Sequence, residues 1–263
     1  MVRVTGNFQS ESPLHPKAFE VLHAAFDNGW ADPRKLSQSG FKANQVKNQA
    51  LESMAASLKV PVDSIFAFSS MALGYYVGLQ GLLTDSLTLV HGATDRKDIF
   101  AIASRIPHHV LPSALDGKLI SPSQKSRNSV LALSVANAET GVIQECEEII
   151  RSVNPSRIFL DATASGIRVQ GINNYSTAIF DSRSWYGPSE LGLLVIKDKS
   201  LWSNPLPHLN AAHPNFEASL PLLLASAVAI ENFSSEVEEA NMRARKFNSQ
   251  LRDSFAQIPD VDI

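Results

Sequence analysis

SVLALSVAN (129–137), VIQECEEIIRSV (142–153) and RIFLDA (157–162) decide how this chain folds. The first and third are aliphatic runs of strand length, and the second carries apolar residues at helical spacing. Strand, helix and strand in so short a stretch make a βαβ unit. The strands do not alternate apolar with polar, so both of their faces are expected to be covered. The same rhythm runs outward. Toward the N-terminus, SIFAFSS (64–70), SLTLVHG (86–92) and HHVLPS (108–113) read as strands, with helices at MALGYYVGLQGLL (71–83) and KDIFAIASRI (97–106). Toward the C-terminus, TAIFDS (177–182) and LGLLVIKD (191–198) are two more strands. Helices are expected at 17–28 and 42–58, and two further long helices after Pro214. The class is α/β: a mostly parallel sheet with helices on both faces. Such sheets hold ligands at the carboxyl ends of their strands. That singles out Ser69, Ser70, Met71, Asn137, Asp161 and the run Ser182, Arg183, Ser184.

Composition narrows the class. The chain has 263 residues, 44% of them hydrophobic and 19% charged, the profile of a packed domain rather than a disordered one. A net charge of −3 gives no electrostatic case for nucleic acid or an anionic membrane. The one cysteine, Cys146, makes no internal disulfide, and MVRVTGNFQSESP lacks the apolar core of a signal peptide. The most apolar run, Leu220 to Ile230, is shorter than a bilayer span. A cytoplasmic protein is expected. His108 and His109 have no ligand partner at metal-site spacing and read as strand-edge residues. The glycines of GYYVGLQG fall inside a helical pattern, which excludes a dinucleotide fingerprint.

Several segments, in order, resemble the cysteine desulfurase (NifS-like, class V aminotransferase) family. SPLHP (12–16) and GWADPRKLS (29–37) match its opening turn and G-N-P-S-S-x-H segment. FAFSSMALGY (66–75) lines up with its phosphate-binding F-T-S-G-A-T-E-A-N-N, and NAETGVIQ (137–144) with N-N-E-I-G-x-I-Q. DATA (161–164) lines up with D-A-x-Q, and DSRSWYGPSELG (181–192) with S-x-H-K-x-Y-G-P-K-G, with one extra residue.

The resemblance implies a three-layer, fold-type I pyridoxal-phosphate (PLP) transferase-like large domain with a seven-stranded, mostly parallel sheet over residues 14–210. Residues 1–13 and 211–263 would belong to an incomplete α+β small domain, since the chain ends where a strand of that domain begins. It also implies a homodimer. In the family the cofactor phosphate sits at the helix start after S-G-A-T, where free N–H groups and the helix dipole attract anions. Carried over, Ser69, Ser70 and Met71 form that turn, and Asp161 is the partner of the pyridine nitrogen. Asp161 read alone is equally a cap or loop acid.

The chain departs from the pattern at most of the chemistry. The Schiff-base lysine position is Ser184, whose hydroxyl forms no imine, and the preceding histidine is Arg183. In TDRKDIF (94–100) the stacking histidine becomes Arg96, which stacks on a ring but moves no proton near neutral pH. Ala138 replaces an asparagine beside Asn137, and Ala164 replaces a glutamine. Lys197 and Lys199 lie beyond the next strand. No catalytic residue and no covalent cofactor are therefore expected; PLP enters only under a different alignment. Three readings stay open: a pseudoenzyme acting through its dimer or a protein partner in sulfur metabolism, an active PLP enzyme with a displaced lysine, and a non-covalent binder of a phosphate or carboxylate through Ser69, Ser70, Arg96 and Arg183.

Overall fold

Asp161 ends a strand whose neighbours on both sides run parallel to it, and that arrangement extends across most of the sheet. The computed structural model describes residues 13–169 and 172–259. Its strands are β1 (Ile65–Phe68), β2 (Thr88–Gly92), β3 (His108–Leu111), β4 (Ser129–Ser134), β5 (Arg157–Asp161), β6 (Thr177–Asp181) and β7 (Gly192–Ile196). They form one sheet in the order β1-β7-β6-β5-β4-β2-β3. β7 is antiparallel to both its neighbours, and every other pair is parallel. The expected seven-stranded, mostly parallel α/β architecture is what the chain adopts.

The helices are α1 (Pro16–Asn28), α2 (Gln38–Leu58), α3 (Met71–Tyr75), α4 (Lys97–Ala103), α5 (Cys146–Val153) and α6 (Leu220–Phe255). They build a core on each face. On one side Met54, Ile149, Leu223 and Phe233 pack against Leu131, Leu133 and Val195. On the other, Tyr75, Leu79 and Ile99 pack against Phe159 and Leu194. β4, β6 and β7 are buried at every position, which explains their unbroken apolar sequence. Truncating a fully buried strand residue such as Phe159 of β5 to alanine costs on the order of 3–5 kcal/mol.

Three elements differ from their sequence expectation. The helix expected over 142–153 begins only at Cys146. The helix expected over 71–83 is α-helical only to Tyr75, then widens to a π turn at Tyr76–Gln80. The two long helices after Pro214 are one helix of 36 residues. Nothing at their junction breaks it: Ser234 and Ser235 turn their hydroxyls back onto Ile230 O and Asn232 O. By length and composition α6 could cross a bilayer, but over half of its apolar window is buried in the protein. Val237 is its last buried residue.

Candidate functional site

Register brings the singled-out residues to one edge of the sheet. Phe68 pairs with Gly192, which pairs with Asp181, while Asp161 pairs with Ser134 and Ile179. β1, β4, β5 and β6 run the same way, so the residues after each emerge on a common rim.

Asp161 is the centre of one cluster. It is buried at 3% exposure. Its Oδ1 accepts from Thr163 N at 2.9 Å and from Thr163 Oγ1 at 2.6 Å. Its Oδ2 accepts from the Tyr75 hydroxyl at 2.6 Å and lies 4.0 Å from Arg96 Nε. Burial and the neighbouring Asp161 carboxylate push the Tyr75 hydroxyl far above its ordinary range, so it stays a donor. Tyr75 comes from α3, Thr163 from the turn after β5, and Arg96 from the cap of α4.

The same cluster extends to β2 and β4. Asp95 accepts from Gly92 N and from Ser134 Oγ, each at 2.7 Å. Burial pushes its carboxyl up to about 6 despite those bonds, and the nearby Asp161 charge acts in the same direction. Asn137 Nδ2 donates to Thr94 O at 2.8 Å, and its Oδ1 accepts from Glu139 N and Thr140 N. Asn137 thus ties the β4 exit to the Arg96 loop. His91 is buried in β2; its Nδ1 meets Gly92 O, and its Nε2 has no partner among the described residues.

The second cluster follows β6, where Ser182–Trp185 form a 3-10 turn. Asp181 caps it, accepting from Arg183 N at 2.9 Å. The Arg183 guanidinium folds back onto the same carboxylate, with Nη2 at 2.6 Å from Oδ2. That hydrogen bond raises the arginine further above neutrality. Ser184 Oγ donates to Asp181 O at 2.7 Å. Ser182, fully buried, shares a 2.7 Å hydrogen bond with Ser226 of α6. Tyr186 ends the turn at φ 60, and Arg168 stacks over its ring.

The turn after β1 is also engaged. Ser69 Oγ donates to Glu217 O at 2.8 Å, and Ser70 Oγ accepts from Leu73 N as the cap of α3. Met71 packs partly buried against the core of that face. Lys197 and Lys199 lie past the far end of β7, donating to Asn173 O and Asp63. Cys146 is buried, and desolvation, then Glu147, pushes its thiol up to about 12.

Sequence reasoning found Asp161, Arg96, Arg183 and Ser184 but missed three of their partners: Tyr75, Thr163 and Asp181. Tyr75 had a readable signal, because it lies one helical turn after Met71 and so shares its face.

No family model matches the chain, and no curated protein sequence does. Solved structures do. A NifS-like protein superposes with a TM-score of 0.81 at 19% identity, over 93% of this chain and 73% of its own. A NifS-like protein from Rickettsia africae gives 0.79 at 15% identity, over 97% and 75%. DndA from Streptomyces lividans gives 0.78 at 17% identity, over 95% and 77%. The chain has the fold of the NifS-like cysteine desulfurases.

Proposed function

We propose that the protein is a cysteine-desulfurase-like pseudoenzyme that works by binding a protein partner or a second copy of itself. The observation that carries this reading is Ser184, whose hydroxyl donates to Asp181 O and which has no amine to form an imine. Asp161 keeps its buried carboxylate, with the Tyr75 hydroxyl on Oδ2 and Arg96 Nε 4.0 Å away. The residues present do not fit PLP held as a Schiff base. Ser69 spends its hydroxyl proton on Glu217 O and Arg183 is paired with Asp181, which weighs against anion binding through them. On this reading residues 14–210 act as the large domain, and 211–263 with 1–13 as part of a smaller one. The setting is cytoplasmic, with no nucleic acid, membrane or metal involved.

The test is a titration of the purified protein with pyridoxal phosphate, followed by absorbance and repeated after borohydride reduction. The expected result is the spectrum of free cofactor with no trapped adduct. A reducible band trapped on one specific lysine would overturn the reading.

A further inference from the structure

A cavity of about 550 Å3 opens beneath α6, within the size range of small-molecule sites. Strand alternation separates it from the cluster described above. Leu160 faces the cavity, whereas Asp161, one residue on, bonds Tyr75 on the other side of the sheet. Much of the wall is apolar: Leu160 and Phe180 from the sheet, Ile167, Val169 and Ile172 from the β5–β6 connection, and Val237 from α6.

The polar groups at its surface have a definite chemistry. Ser57, Ser165 and Ser234 spend their hydroxyl protons on Ser53 O, Ala162 O and Ile230 O, so they offer only lone pairs. The donors left are Lys59, the Asn173 amide and the Tyr175 hydroxyl. Burial alone shifts Tyr175, upward, with no hydrogen bond contributing. Among the described residues, Lys59 is the one charged residue lining the cavity, and no carboxylate lines it. Lys59 enters no ion pair among the described residues.

Lys59 also stands where its backbone is unfavourable. It caps α2 in the left-handed region at φ 57. Glycine fills that position without strain, whereas an L side chain costs about 1–2 kcal/mol there. The cation is present at a position whose backbone calls for glycine, lining a largely apolar cavity with no counter-charge among the described residues. One cation suits a monoanion; a phosphate dianion would be left undercompensated.

We propose that this cavity binds an apolar monocarboxylate of the medium-chain fatty acid class, its carboxylate on Lys59 and its tail between the sheet and α6.

Calorimetric titration of the full chain with decanoate and with decanol tests it. Decanoate binds saturably at one site, and decanol binds more weakly. Lys59→Asn, which the left-handed region tolerates, weakens decanoate by about tenfold, one charge-assisted contact, and leaves decanol unchanged. Val169→Trp fills the cavity and removes both, and an unchanged far-UV circular dichroism melt shows that each variant folds. No saturable decanoate binding overturns the proposal. So does decanoate affinity unchanged by Lys59→Asn, and so does an equal loss of decanoate and decanol in that variant, which would mean collapse of the cavity rather than loss of a charge.

Discussion

The Tyr75 hydroxyl sits 2.6 Å from Asp161 Oδ2 and donates its proton to it across the carboxyl end of the sheet. In a sheet of this fold that edge is where a ligand is expected. Here a side chain of the protein itself donates to the buried carboxylate's Oδ2.

Tyr75→Phe tests how much that contact stabilises the fold. The ring keeps its packing on Phe159, at 5.9 Å between centroids. The carboxylate keeps both Thr163 bonds on Oδ1, but Oδ2 is left with the more distant Arg96. A buried acceptor stripped of a partner costs about 1–3 kcal/mol. The urea midpoint is expected to fall accordingly with an unchanged slope; an unaltered midpoint would mean that water replaces the hydroxyl.

Asp95 sets a pH dependence whose sign is opposite to that of an ion-paired acid. Its carboxyl rises from 3.8 in the unfolded chain to about 6 in the folded one, because burial disfavours the ionised form. The folded state holds the proton more tightly, so ionising Asp95 costs folding free energy. Its contribution to stability is complete below the unfolded value and is lost as pH rises through about 6. Asp95→Asn keeps an acceptor for Gly92 N, and its amide donates to Ser134 Oγ in place of the present bond. Chemical denaturation between these two values is expected to lose stability with rising pH in the parent. The variant is expected to lose less over the same window.

These residues also show what was legible in the sequence. The alternation of aliphatic runs with helical spacing gave the sheet, because buried parallel strands cannot hide their composition. Asp161 was visible as an acid closing such a run, and Ser184 through its place before Tyr186-Gly187-Pro188. Tyr75 was not, since an aromatic in a helical pattern reads as core, and it is core: its body is buried while its hydroxyl reaches Asp161. The fusion of the last two helical patterns into α6 was hidden for another reason. Ser234 and Ser235 resemble a break, and only their return bonds to Ile230 O and Asn232 O show that they continue the helix.

Arg183 and Asp181 make a pair with unequal burial. The Asp181 side chain is 5% exposed and the Arg183 side chain 46%. Removing the exposed partner strands the buried charge, so Arg183→Ala is expected to cost about 1–3 kcal/mol. Asparagine at 181 still caps the turn through its amide oxygen. The double variant Arg183→Ala, Asp181→Asn should therefore recover most of that loss, measured by urea unfolding. A double variant no more stable than Arg183→Ala would show that the arginine acts by packing rather than by charge.

Gly81 follows the π turn after α3 and leaves room for a tryptophan packed against it. A methyl group on it would fall 2.0 Å from Trp202 Nε1. That indole is buried and donates to Val77 O at 2.9 Å, the carbonyl that also accepts from Gly81 N at 3.2 Å. Val77 O thus accepts both from the helix backbone and from a tryptophan laid across it. Gly81→Ala pushes the indole away, with an overpacking cost of about 1–3 kcal/mol and a changed near-ultraviolet circular dichroism signal. Trp202→Phe removes the ring edge that the methyl group meets. In a double-mutant cycle the two substitutions should therefore couple, the second costing less once the first is made. Strictly additive losses would mean that the methyl group is accommodated elsewhere.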